Sequence, residues 1–265
     1  MPAESSREIE ETLIICSEDP LSAVASIGAL SSVAGYPLSP QDSVSIQDYY
    51  VDTPDGALRR ADFSLRVREI NTSPWLTLKG PPRPIAHGLV ERLEMEVPWS
   101  EDALARICDE LAHHSVRFCP TLHGDDSAPP SEVLALMGLE RVQYRENHRQ
   151  IRNILRPYEN SGPALAELSI DSVVYHFEKR QVRHYEVEVE AKSEDGIEVL
   201  PVVIQDLVTA YPATLQKWDH GKLSIGRAVE ALLMQGALEG LVNEYGQLMP
   251  WAYSEIHRFL GQSST

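Results

Sequence analysis

Apolar and polar residues alternate with a period of two along most of this chain, and that alternation predicts strands. The alternating or β-branched runs cover residues 7–15, 44–52, 63–70, 74–80, 89–98, 139–155, 164–177 and 182–192, with turn-rich segments such as "TPDGALRRAD" between them. Helical spacing of small and apolar residues instead predicts helices over residues 20–34, 101–113, 197–211 and 222–242, followed by a short tail. Pro20 falls in the first turn of one helix, and Glu101 and Asp102 open another, where acids suit the helix dipole. There is no internal repeat. The helices sit at the ends and between the halves of the strand series, so the pattern gives an α+β fold built on a barrel or a strongly curved antiparallel sheet.

Splitting each strand into its two faces adds the chemistry. In "ERLEMEV" one face carries Arg92, Glu94 and Glu96, and in "HYEVEVEAK" one face carries Glu186, Glu188, Glu190 and Lys192. Arg66 and Arg68 share a face of "SLRVRE", Trp75, Thr77 and Lys79 a face of "WLTLKG", and Glu8, Glu10 and Thr12 a face of "REIEETL". For any single strand, a face turned to water outside an ordinary sandwich would explain this. Acids repeated at i and i+2 on three strands repel one another, however, and bases repeat on others. A polyanion held with divalent cations would offset that repulsion if the sheet closes with its ionic faces inward.

Composition narrows the class. The 265 residues, 43% of them hydrophobic, can bury a substantial core, and a formal charge of −17 argues against general nucleic-acid binding. No stretch approaches a membrane span and the acidic N-terminus has no signal-peptide core, so the expected compartment is the cytoplasm. Cys16, Cys108 and Cys119 show no paired spacing, which predicts free thiols rather than a disulfide or a zinc site. His148, His176 and His184 match no metal motif and read as structural. The segment "TLHGDDSAPP" reads as a loop.

In combination, "YYVDTPDGALRRADFSLRVRE" and "WLTLKGP" resemble the CYTH superfamily, the triphosphate tunnel metalloenzymes, which include class IV adenylate cyclases, thiamine triphosphatases and inorganic triphosphatases. The resemblance runs over roughly residues 7–223. Its first-strand E-x-E-x-K pattern is matched by Glu8 and Glu10, with Thr12 in place of the lysine. Arg66 and Arg68 fit its S-L-R-x-R strand, Lys79 its L-K-G strand, and Glu94 and Glu96 its R-x-E-x-E strand. Arg149, with Arg145 on the same face, fits the basic strand, and Glu167 and Asp171 the A-E-x-x-x-D strand. Glu186, Glu188 and Glu190 fit the late acidic strand, and Lys217 the segment before the last helices.

The resemblance implies a closed antiparallel eight-stranded barrel within an α+β fold, spanning residues 1–223 with a flexible loop at 114–130. Outer helices and a helical extension at 224–265 would complete it. It implies a metal-dependent triphosphatase using Mg²⁺ or Mn²⁺, with a small triphosphate as its partner, no nucleic acid and no membrane, acting as a monomer or homodimer. By the same likeness Glu8, Glu10, Lys79 and Arg149 are the catalytic candidates, and Arg66, Arg68, Lys79, Arg149 and Lys217 hold the triphosphate. Glu8, Glu10, Glu94, Asp171, Glu188 and Glu190 are the metal candidates. A class IV adenylate cyclase, or a binding module weakened by Thr12, are the alternatives. On this reading Thr12→Lys would restore a missing cation.

Overall fold

The computed structural model describes residues 6–85, 89–118, 128–159 and 162–262. In chain order these form β1 (Ser6–Ile15), α1 (Pro20–Gly28), β2 (Ser32–Val33), β3 (Tyr36–Pro40), β4 (Val44–Asp52) and α2 (Ala57–Arg60). Then come β5 (Ser64–Ile70), β6 (Ser73–Lys79), β7 (Arg83–Pro84), β8 (Val90–Pro98), α3 (Glu101–His113), α4 (Pro130–Leu136) and β9 (Glu140–Ile154). The chain continues as β10 (Ala166–Phe177), β11 (Arg180–Ala191), α5 (Glu194–Ala210), β12 (Leu215–Trp218), α6 (Lys222–Met234) and α7 (Ala252–Gln262). The strand order β10-β11-β1-β8-β6-β5-β4-β9 returns to β10 through a β9–β10 pairing, which closes eight strands into an antiparallel barrel. The short strands β2, β3, β7 and β12 attach outside this ring. No helix among the described residues is long and apolar enough to cross a membrane.

By contact the chain divides into two compact units, residues 1–8 with 45–146 and residues 9–44 with 147–265. In the first, the apolar faces of β4, β5, β6 and β8 (Val51, Leu65, Val67, Leu76, Leu78, Met95, Val97) pack against Ala103, Leu104, Ile107 and Leu111 of α3. That helix starts where the sequence places it, because the Ser100 side chain accepts a hydrogen bond from the Ala103 amide at 3.1 Å and Glu101 and Asp102 fill the first turn.

In the second unit, α5 packs on β10 and β11, burying Val199, Leu200, Val203, Ile204 and Leu207. Gly196 at its start is required by close approach, since a Cβ there would lie 1.8 Å from the Leu165 carbonyl oxygen. The helix expected over 20–34 stops at Gly28 instead. Ala34 and Gly35 both take positive φ (50° and 82°) and form the two-residue turn of the β2–β3 hairpin, which no helix can accommodate.

The C-terminal segment differs most from expectation. Ile225, Ala228, Val229 and Leu232 of α6 and Tyr253 and Ile256 of α7 pack on Ile14, Val173, Tyr175 and Val182. By alternation, Ile14 shares the face of Glu10 and Thr12, and Val173 and Tyr175 share that of Asp171. These helices therefore cover the continuation of the ionic face, where the side chains turn apolar. Residues 252–262, a tail by residue spacing but part of the helical extension that the resemblance implies, form a full helix.

Candidate functional site

The first unit concentrates basic groups around one buried acid. Asp48 on β4 faces Arg68 in register on β5, and Arg66 stands opposite Tyr50. The Asp48 carboxylate accepts from Arg68 Nε at 2.8 Å and Nη2 at 3.2 Å, from Arg145 Nε at 3.0 Å and Nη2 at 2.7 Å, and from Arg66 Nη1 at 3.4 Å. The Tyr50 hydroxyl accepts from Arg66 at 2.9 Å and Arg145 at 2.8 Å. Glu96 closes the set, 3.4 Å from Arg68, 3.6 Å from Arg66 and hydrogen-bonded by Thr77 at 2.9 Å.

Burial alone would push the Asp48 carboxyl up, but Arg66, Arg68 and Arg145 outweigh it and hold it well below the usual carboxylate range. Against burial, Arg145 and Arg66 likewise draw the Tyr50 hydroxyl downward. Three guanidiniums thus meet two carboxylates. The buried Nε atoms of Arg66 and Arg92 have no hydrogen-bond acceptor in the structure. Such unused buried donors are what an incoming anion satisfies.

Beside this lies a smaller set. Lys79 Nζ contacts the two Glu8 oxygens at 2.7 and 2.6 Å and Glu94, its register partner, at 3.4 Å. Burial first, and then the charge of Glu8, raise the Glu94 pKa against the opposing effect of Lys79.

The second unit carries the acids of β10 and β11. Arg149 forks onto Asp171 (Nε–Oδ1 2.8 Å, Nη2–Oδ2 2.6 Å) and reaches Glu188 at 2.5 Å. Lys222, the first residue of α6, places Nζ 2.9 Å from Asp171, 2.6 Å from Glu188 and in contact with Glu186. His184 Nε2 donates to Glu186 at 2.6 Å, and its Nδ1 bonds the Tyr253 hydroxyl at 2.8 Å. Burial opposes ionisation of Asp171, yet Arg149 and Lys222 bring its pKa to about 2. A second row of acids runs Glu10, Glu190 and Glu167 in register, with Lys192 2.6 Å from Glu190 and 3.9 Å from Glu167.

These acid sets differ in how well they suit a divalent ion. Asp171 and Glu188 carry Arg149 and Lys222, and Glu8 and Glu94 carry Lys79, so an ion at either set would share its carboxylates with a buried cation. Glu10, Glu190 and Glu167 offer the donor chemistry of a divalent site, three carboxylates in register on adjacent strands, with the lysine at their rim about one-third exposed.

Arg66, Arg68, Lys79, Glu8 and Glu94 therefore come together in the first unit, and Arg149, Asp171 and Glu188 in the second. Lys217 joins neither. It sits opposite Leu13 on the other face, half exposed and 3.1 Å from Glu11. Asp48, Tyr50 and Lys222 were not singled out by sequence reasoning. For the first two the signal was their shared face in "VSIQDYYVD"; for Lys222 only the fold supplies it. Trp218 packs among Tyr253, His220 and His257, with ring centroids 5.5–5.8 Å away. Cys16 and Cys108 are free thiols, and Cys119 and residues 120–127 of the expected loop lie outside the described residues.

Position 12 also changes meaning. Thr12 faces Glu188 across the β1–β11 pair, and Glu188 already binds Arg149 and Lys222. Thr12→Lys would bring a third cation to the same carboxylate. The expected outcome is a loss of about 1 kcal/mol or more in urea unfolding, with no gain in triphosphate affinity. A tighter-binding variant of unchanged stability would show that the position lacks a charge.

The CYTH domain family matches residues 29–211, more than half of the chain. The matched stretch leaves out β1 and everything from β12 onward. No curated protein matches the sequence. Among solved structures, HpAC1 from Hippeastrum, a candidate adenylyl cyclase described by its dominant triphosphatase activity, is 14% identical with a TM-score of 0.51, covering 83% of this chain and 95% of its own. The PH1819 protein from Pyrococcus horikoshii OT3 is 18% identical with a TM-score of 0.47, covering 86% of this chain and 99% of its own. The likeness to HpAC1 shows the fold.

Proposed function

This chain belongs to the CYTH domain family, and from that membership and its ionic clusters we propose that it binds and hydrolyses a small triphosphate. The observation that carries the reading is the cluster of buried guanidiniums in the first unit, where Arg66, Arg68 and Arg145 crowd one carboxylate and Arg66 keeps an unused donor. A buried cluster of guanidiniums with an unused N–H on Arg66 suits the oxygens of a phosphate chain, which guanidiniums bind in forked pairs.

In this reading Arg66, Arg68 and Arg145 orient phosphate oxygens, and Asp48 keeps their planes fixed so that little reorganisation accompanies binding. Lys79, held on Glu8, adds a further ammonium in the same unit. In the second unit Glu10 and Glu190, with Glu167 alongside, would hold Mg²⁺ or Mn²⁺. Such an ion supplies charge neutralisation on phosphate oxygens and a water of lowered pKa. The substrate class is thiamine triphosphate, inorganic tripolyphosphate or a nucleoside triphosphate.

The deciding experiment offers each of these with Mg²⁺ or Mn²⁺ and follows phosphate, pyrophosphate and cyclic nucleotide. Phosphate release is expected. Cyclic AMP with pyrophosphate would make the chain a cyclase, and tight binding without turnover a binding module, an outcome favoured by the neutralised acids around Lys222. Glu10→Gln should cut divalent-dependent turnover by about 100-fold or more while the melting temperature holds, because it removes ligand charge at nearly constant volume. Unchanged turnover would remove Glu10 from the ion's ligands.

A further inference from the structure

We propose that Lys222 is a resident cation: its ammonium takes the place a divalent ion would take among Asp171, Glu186 and Glu188, so that the C-terminal helices, and no metal, hold these three acids. One oxygen or more from each carboxylate lies within 4.8 Å of those of the other two, a spacing that would suit an ion. Lys222 Nζ touches all three of them. An ammonium has three N–H donors, and here three acids receive them. Asp171 and Glu186 are fully buried and Lys222 nearly so, which leaves little water to compete. With Arg149 on Asp171 and Glu188, two cations already balance three anions to within one charge, and a divalent ion would overcompensate.

The lysine is held in place from several sides. The Tyr175 hydroxyl donates to the Lys222 carbonyl at 2.7 Å, fixing the start of α6, whose apolar face packs on Ile14, Val173 and Val182. Tyr253 of α7 bonds His184, which bonds Glu186. Lys222 and Tyr253 lie beyond residue 211, where the family match ends, whereas the three acids, Arg149, Tyr175 and His184 lie within it. The lysine's role does not depend on whether the chain hydrolyses triphosphate, because the test reads ion binding alone.

The test is a Mn²⁺ titration of the full chain, with free Mn²⁺ read by its electron paramagnetic resonance signal. Glu188→Gln in the otherwise native chain is expected to leave the number of bound ions unchanged. Lys222→Met is expected to gain one ion per chain, and the double variant to lose that ion again. Removing one acid from a set of three acids and two cations leaves it neutral, so Glu188→Gln should fold. If Lys222→Met does not fold, Glu188→Gln decides alone. An ion lost on Glu188→Gln, or a folded Lys222→Met that gains none, overturns the proposal.

Discussion

Asp48→Asn is expected to cost about 3–5 kcal/mol of folding stability, the largest effect of any single substitution considered. The asparagine keeps the volume but removes the one charge around which Arg66, Arg68 and Arg145 are assembled. Breaking a buried ion pair strands its partners, and here three buried guanidiniums would lose the carboxylate they share, with Glu96 in contact with two of them. Against a total stability of roughly 5–15 kcal/mol, such a loss should leave the variant marginal in urea unfolding. Added tripolyphosphate should rescue it by more than it stabilises the native chain, since the anion would replace the missing charge.

The pH dependence follows from the same contacts. Asp48 has its folded pKa depressed, so its contribution is complete above its unfolded value of about 3.9 and fades as the pH falls through the folded one. The variant should therefore lose part of the acid-side slope of stability against pH that the native protein shows. A stability loss below about 1 kcal/mol would mean that the three arginines hold their places without this carboxylate.

Arg66→Met is expected to behave in the opposite sense. It removes one of three cations crowded on Asp48 and leaves Arg68 and Arg145 on that carboxylate, so folding stability should hold or rise slightly. Triphosphate affinity should fall about 10- to 100-fold, because a lost hydrogen bond to a charged group is worth roughly 1.5–3 kcal/mol. Calorimetric titration with tripolyphosphate, beside a thermal melt of the same sample, reads both quantities. Separation of the two marks a ligand-binding arginine; a parallel fall in both marks a structural one and removes the main support for the proposed function.

Much of the fold was legible because it rests on local rules. The run 44–52 became a strand with the predicted bounds, and Ser100 with Glu101 and Asp102 set the start of α3 at the expected residue. The helix over 20–34 was read too long, since the small residues at 29–33 carry no local signal against helix and the stop comes from the hairpin at Ala34–Gly35. The helix at 252–262 belongs to the helical extension that the family resemblance implies, and Ala252, Ile256, Phe259 and Leu260 give it helical spacing.

The site divides along the same line. By itself the sequence determined which faces are ionic, since period two leaves a side chain no choice once its strand is placed, and that singled out Arg66, Arg68, Lys79 and the acids of β11, while Arg149 and the acids of β10 rest on the family resemblance. Only the tertiary structure decided which charges meet. Lys217 and Lys222 are five residues apart and equally basic in the sequence, yet one lies half exposed on Glu11 and the other is buried among three carboxylates. The physical reason is that ion pairing depends on the distance between atoms brought together by long-range packing, and no local pattern carries that distance. The packing of α6 and α7 against the ionic face fixes it for Lys222, and the pairing of β12 with β1 fixes it for Lys217.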